Sequence, residues 1–366
     1  MLKKKNKNAP ATSVLVYVAS VLFILGWWYC GFANKPAGAD IEVSFLKKSE
    51  PKTGLEEILA PFSRDDLKRA LGGDLELMAS LITEWDQDAQ ILESRGFLEV
   101  ARLSRRDFVR ALLLGRKLKG KKEVREERYL PQTWAAARFL MALLPKEQIV
   151  AIPEGLANRH PEIPIPPLKG EWIETISHEK PTCAFVAPYS HPGALQALRD
   201  HQVSIHSAPT LLKIDDIFTE LQAMGNIVNK ADEAELLTLF IRSALLAIDN
   251  RAKLLDPYEK TFYLSWGTYF SYPTARTITG QLLARLHLNT ELRAPSGLAW
   301  KIPLDREALA ALRPSKLILA CENPEKGHSL TWGSPLKVAL VEEGLMESID
   351  QYLVLAYYDI YEALKR

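Results

Sequence analysis

The first clear pattern along the chain is an uncharged stretch from Ala9 to Ala33, apolar through its centre from Val14 to Phe32 and preceded by Lys3, Lys4, Lys5 and Lys7. At 1.5 Å rise per residue, about 20 helical residues cross a ~30 Å hydrocarbon core. Residues 14–33 therefore predict a membrane segment, with the lysines kept cytoplasmic and everything after Lys35 sent outside. Trp27, Trp28 and Tyr29 fall where an interfacial aromatic belt would sit. The other reading is a cleaved secretory signal, with Ala37-Gly38-Ala39 as the cleavage site. On either reading the body of the protein is periplasmic or otherwise extracytoplasmic.

Residues 34–53 are rich in Lys, Pro and Gly and read as a linker. From Thr53 to Gly120 apolar residues recur three and four apart, the helical period, with no strand pattern. Two capping signatures, Ser63 to Asp66 and Ser104 to Asp107, open similar segments: SRDDLKRAL and SRRDFVRAL share six of nine residues. After Val124 strands and helices alternate. Strands are predicted at 128–130, 149–152, 183–187 and 203–206, with helices at 134–144, 171–179 and up to Asp200, and a proline-rich loop from Pro153 to Pro167. Such alternation builds a parallel α/β unit. Residues 213–254 hold no strand. One helix runs from Ile214 and stops at Gly225; a second, Asp232 to Leu254, is about 35 Å long by the helical rise. A strand at 261–265, a loop from Trp266 to Pro273, helices at 274–286 and 305–312, a strand at 316–321 and helices at 335–343 and 350–364 complete the pattern. The fold class predicted is α/β: two lobes joined by a long hinge helix, after an N-terminal membrane segment and a small helical region. The boundaries are 1–39 for the signal or anchor, 40–123 for the helical region, 124–212 for the first lobe, 213–255 for the hinge and 256–366 for the second lobe.

Composition narrows the function. Three hundred and sixty-six residues suit two or three domains. A hydrophobic fraction of 47% with 25% charged residues is that of a chain with real cores. Lys plus Arg total 46 against 45 for Asp plus Glu, a balance unsuited to coating nucleic acid. The basic run Arg116 to Lys122 reads as a solvated turn. Cys30, Cys183 and Cys321 lie far apart with no CxxC, which excludes a zinc ribbon. Cys183 and Cys321 are either bridged or, the preferred reading, two buried thiols. No G-x-S-x-G, H-E-x-x-H, Walker loop or G-x-G-x-x-G is present, and no enzyme is expected.

Six segments taken in order carry a resemblance. They are Arg128 to Thr133 with Leu143-Leu144 and Ile149 to Ile152; Glu171 to Glu174 through Pro181; Phe185 to Ala187; Gly193 to Leu198; Leu211 to Ile217 with Met224-Gly225; and Leu309 to Leu319 with Arg313-Pro314-Ser315. This set resembles the helix-hinged periplasmic substrate-binding proteins of ABC importers, in particular those for iron–siderophore chelates, haem and cobalamin. It spans roughly 124–366 and leaves 40–123 uncovered.

The resemblance implies a monomeric carrier with no permanent cofactor, delivering a small-molecule ligand such as an iron chelate, haem or cobalamin to an inner-membrane ABC permease. It also implies that an acidic residue on each lobe docks on the permease. Glu307 matches on the second lobe, whereas the first-lobe position is Gly193. In such α/β sheets ligands sit beyond the carboxyl ends of the strands. The first-lobe loops there carry Gln132, Glu154, His160, Tyr189, Ser190 and His191; the second-lobe loops carry Trp266, Tyr269, Tyr272, Glu322 and His328. Aromatic rings can stack on a planar ligand, and His or Tyr can coordinate iron. Each has a structural alternative: His191 can cap the following helix, His160 can be an exposed loop residue, and Trp266 can pack beneath the cleft. A bare metal ion held by His160, His191 and Glu322 is the competing ligand. A membrane-anchored sensor or interaction module that kept the fold without import is the competing function.

Overall fold

A computed structural model describes residues 59–60, 62–97, 99–119, 126–168, 172–255, 260–266, 269–289, 292, 301–321, 337–342 and 349–365. All of these belong to one compact unit. The expected membrane segment at 14–33 lies outside the described residues, as do Cys30, Glu322 and His328. Among the described residues no helix is long and apolar enough to cross a membrane.

The helical region consists of α1 (Arg64–Leu71), α2 (Leu75–Ser94) and α3 (Arg105–Leu118). Both capping signatures form as read: Ser63 Oγ accepts from Asp66 N and Ser104 Oγ from Asp107 N, each at 3.1 Å. A hydroxyl at this position satisfies an amide that the helix leaves unpaired.

The first lobe runs β1 (Tyr129–Pro131), α4 (Trp134–Leu143), β2 (Ile152–Pro153), α5 (Glu154–Arg159), β3 (Pro167–Leu168), α6 (Trp172–Glu179), β4 (Cys183–Val186), α7 (Pro192–Asp200) and β5 (Ser204–Ser207). β1, β4 and β5 form a parallel sheet in the order β1-β4-β5, and β2 pairs with β3 apart from it. The expected strand at 149–152 is thus reduced to a bridge between Ile149 and Tyr129 and the short β2. Proline explains this: Pro153 and Pro167 lack the N–H that a continuous ladder requires. The proline-rich loop holds α5, which starts directly after Pro153.

Two helices follow, α8 (Ile214–Ile227) and α9 (Ala231–Ala252). Gly225 does not end the first, as its sequence suggested; α8 continues through it. A Cβ there would overlap Ala234 of α9 and stand 3.0 Å from Lys230 O, so glycine serves the close approach of the two helices. α9 is buried on nearly all sides, with Leu236, Phe240, Ile241, Ala244 and Ile248 fully covered. It packs against α2, α3 and α8, and against the C-terminal helix described below. Polar groups match across these contacts. Asn250 bonds both the N–H and the C=O of Ala101 at 2.8 and 2.7 Å, and Arg251 pairs with Asp88 at 2.9 Å in the interior.

The second lobe comprises β6 (Thr261–Trp266), β7 (Phe270–Pro273), α10 (Ile278–Arg285), β8 (Lys301–Leu304), α11 (Arg306–Leu312), β9 (Lys316–Cys321), β10 (Lys337–Glu342) and α12 (Leu353–Lys365). Its sheet runs β10-β9-β6-β7-β8, parallel among β10, β9 and β6 and antiparallel through β7 and β8. Two expectations are corrected. The helix expected at 335–343 is β10, in full register with β9; a short apolar run between polar residues is compatible with either element by periodicity alone. The loop from 266 to 273 contains β7, a strand turned back on β6. Cys183 and Cys321 are buried thiols, not bridged to each other, and burial pushes the Cys183 thiol up to about 11.

Candidate ligand-binding site

Because β1, β4 and β5 are parallel, their carboxyl ends share one edge, and the segments leaving β1 and β4 are tied together there. Gln132 N donates to Phe185 O at 2.8 Å, and Gln132 Oε1 accepts from Ala187 N at 2.8 Å. Ser190 is buried, its Oγ within hydrogen-bond reach of Gln132 Oε1 and 2.7 Å from Ala187 O. A hydroxyl has one proton, so it donates to these acceptors in alternation. This knot fixes the turn after β4 and turns Tyr189 outward, 82% exposed. His191 accepts from Gly193 N at 3.1 Å through Nδ1 and so caps α7, the structural alternative for this residue. Its ring is exposed beyond that contact.

His160 ends α5 and has a protein partner at each ring nitrogen. Nε2 lies 3.4 Å from Arg138 Nη2 and Nδ1 lies 3.3 Å from Glu162 Oε1. A guanidinium only donates, so Nε2 is the acceptor and Nδ1 carries the proton toward the carboxylate. Arg138 is itself buried, paired with Asp350 at 2.9 Å and set between the rings of Trp134 and Tyr352. His160 thus belongs to a charged cluster joining the first lobe to the segment before α12. The sequence signal for Arg138 was a lone charge within the apolar run WAAARFLMAL, a pattern that calls for a buried partner. Glu154 is exposed in the first turn of α5.

In the second lobe the hairpin of β6 and β7 presents its aromatic residues at different depths. The Trp266 ring, at the carboxyl end of β6, stacks on Phe270 with centroids 6.5 Å apart and planes at 27°. Phe270 was not singled out from the sequence, where its strand read as loop. Tyr269 stands in the hairpin turn, 62% exposed. Tyr272 is only 6% exposed within β7, and burial pushes its phenol above the ordinary range. Glu307 lies on the exposed first turn of α11. Among the described residues no group of three or more His, Cys, Asp or Glu side chains is arranged to hold a metal ion. The arrangement therefore offers exposed aromatic faces and amide or hydroxyl groups at the carboxyl ends of β1, β4 and β6.

The fold is that of the helix-hinged periplasmic substrate-binding proteins. The periplasmic haem-binding protein RhuT from Roseiflexus sp. RS-1 superposes with a TM-score of 0.53 at 16% identity, over 65% of this chain and 98% of its own. The periplasmic vitamin B12 binding protein BtuF of Vibrio cholerae gives 0.51 at 15%, over 65% and 96%. A possible iron-binding periplasmic solute-binding protein from Staphylococcus epidermidis gives 0.52 at 13%, over 66% and 99%. Each is covered almost entirely, while about a third of this chain has no counterpart in it. No protein-family model matches the sequence, and no curated protein matches it.

Proposed function

We propose that this protein is the extracytoplasmic substrate-binding component of an ABC importer and captures a metal chelate or macrocycle, such as an iron–siderophore, haem or cobalamin, between its lobes. The observation that carries this reading is the pair of outward aromatic residues, Tyr189 at the carboxyl end of β4 and Tyr269 beside the end of β6, with Trp266 next to the latter. Large planar ligands are gripped by such faces, while a few polar groups fix their orientation. Gln132 and His191 supply those groups. A bare ion is less favoured because both nitrogens of His160 and one of His191 already have protein partners. The mechanism is capture and delivery, with Glu307 contacting the permease and residues 14–33 holding the carrier at the inner membrane.

Titration with haem, cobalamin, ferric siderophores, zinc and manganese tests this. One chelate or macrocycle should bind, and Tyr189→Ala with Tyr269→Ala should weaken it at least tenfold. Tight binding of a bare divalent ion that disappears in His160→Ala/His191→Ala, with no chelate bound, would overturn the reading. A membrane-anchored sensor is the second reading, favoured by the extra helical region, whose α2 and α3 pack on α9. It requires ligand binding without import when the protein is reconstituted with a permease.

A further inference from the structure

A cavity of about 470 Å³ opens between the helical region and the hinge, away from the strand-end residues described above. It is bounded by the residues leading into α3, the first turns of α8, the middle of α9 and the face of α10. Its lining is mixed: polar and charged side chains alternate with the apolar ones of Leu103, Ile214, Phe218, Leu245 and Leu246, of which Phe218 and Leu245 are buried. Three arginines line it, Arg102, Arg242 and Arg285.

The three differ in how far they are already satisfied. Arg102 reaches Glu93 at 3.6 Å, with both side chains largely exposed. Arg285 pairs with Asp249 through Nε and Nη2, at 3.3 and 2.5 Å, which leaves Nη1 unused by that pair. Arg242 is exposed on a helix otherwise mostly buried, and it makes no hydrogen bond or ion pair among the described residues. Its guanidinium carbon sits 4.8 Å from the centroid of the Phe218 ring. Stacking on an aromatic face holds the group in place while its N–H fork stays available for a planar oxyanion. Two carboxylates also line the cavity. Asp107 accepts the Ser104 hydroxyl at 2.9 Å, and Asp215 lies in the first turn of α8, where the helix favours negative charge. The arginines outnumber them.

We propose that this cavity is a second ligand site, distinct from the interlobe cleft, for an organic anion with a carboxylate or phosphate head and an apolar body. Arg242 takes the head in bidentate fashion, with Arg285 Nη1 beside it, and the body lies on Phe218 and Leu245. Its occupant touches the helical region, the helix leaving the first lobe and a helix of the second lobe together. Gln281 already joins two of these, accepting from Ile214 N at 3.2 Å and donating to Leu212 O at 3.1 Å. The inference is independent of what the cleft binds.

Calorimetric titration of the full chain with octyl phosphate, octanoate, inorganic phosphate and octyltrimethylammonium tests it. At least one of the two amphiphilic anions should bind, more tightly than inorganic phosphate or the cation, and should raise Tm. Arg242→Ala should weaken that binding at least tenfold with the unliganded Tm unchanged, and Leu246→Trp, which places a bulky ring in the cavity, should weaken it as well. Tyr189→Ala/Tyr269→Ala should leave it intact. No binding of either anion at millimolar concentration, equal binding of the cation or of inorganic phosphate, or undiminished affinity in Arg242→Ala would each overturn the proposal.

Discussion

Gly115, inside α3, is the residue whose replacement has two opposing consequences, and the structure decides between them. Taken as helix chemistry alone, Gly115→Ala should stabilise, because glycine within a helix costs about 0.5–1 kcal/mol relative to alanine. The packing says otherwise. A Cβ on Gly115 would stand 2.7 Å from the Ala79 Cβ of α2, about 1 Å short of the ~3.5–4.0 Å at which carbon atoms pack well. α3 cannot simply move outward without uncovering Ala111, Leu114 and Leu118, which are buried in the core; the exposed pairs Arg110–Glu235 and Lys117–Asp232 add little to that restraint. An extra methyl in such a seam costs about 1–3 kcal/mol. The net expectation is a loss of about 1–2 kcal/mol, which at ~2–4 °C per kcal/mol lowers Tm by about 2–8 °C. The assay is a double-mutant cycle by urea unfolding of the parent, Gly115→Ala, Ala79→Gly and the swap Gly115→Ala/Ala79→Gly. The swap moves one methyl across the seam, so it should be more stable than the sum of the single effects by about 1 kcal/mol or more. A Gly115→Ala variant as stable as the parent, or strictly additive effects, would refute the close approach of α2 and α3.

Two further outcomes follow from the helical layer. Burial, opposed by Arg285 and Tyr357, holds the Asp249 carboxyl above its ordinary range. Its folded pKa is thus the higher one, the native state binds more protons than the unfolded state in the window above about pH 3.9, and this group's contribution to stability falls as pH rises through that window. Subtracting the stability–pH curve of Asp249→Asn from that of the parent should show that decline, and a flat or rising difference would be the wrong sign. The second outcome concerns motion. α9 has neither Pro nor Gly along its length and is covered by α2, α3, α8 and α12. A helix of that kind bends only gently, so X-ray scattering with and without bound ligand should give nearly superposable curves, and a wide domain closure would contradict the reading.

Much of the fold was legible because it depends on local chemistry. Ser63, Ser104 and Thr133 each precede a helix, and each accepts the amide three residues on. The apolar strands at 183–187 and 316–321 are too short for buried helices and lie between helical stretches. What escaped depends on partners far away in sequence. KVALVE becomes a strand because β9 offers it a parallel edge, a fact its own composition does not contain. Tyr272 reads as a loop aromatic until its pairing with Ile302 across β7 and β8 places it in the sheet. At the site, Tyr189 and Tyr269 are exposed because they stand in turns at strand ends, which carry side chains outward. The engagement of His160 was illegible, because Arg138 and Asp350 meet across more than two hundred positions.

The helices α2 and α3, which the resemblance leaves uncovered, answer a requirement of α9 itself. A helix that rests on one layer carries an apolar stripe and a polar face, whereas one that is apolar all round must be enclosed. Leu236, Leu237, Leu239, Phe240 and Ile241 cover more than a full turn of α9, and none of them is exposed. Two lobes meeting at its ends would leave much of that surface in water; α2 and α3 enclose it instead. The few buried polar groups on α9 point the same way. Asn250 and Arg251 would each be left unsatisfied without a partner, a loss of about 1–3 kcal/mol for a buried neutral group and more for a charge. Their partners, the backbone of Ala101 and the carboxylate of Asp88, both come from the helical region. Those helices are therefore part of the core built around α9, and any displacement of α9 must carry them along or break their contacts.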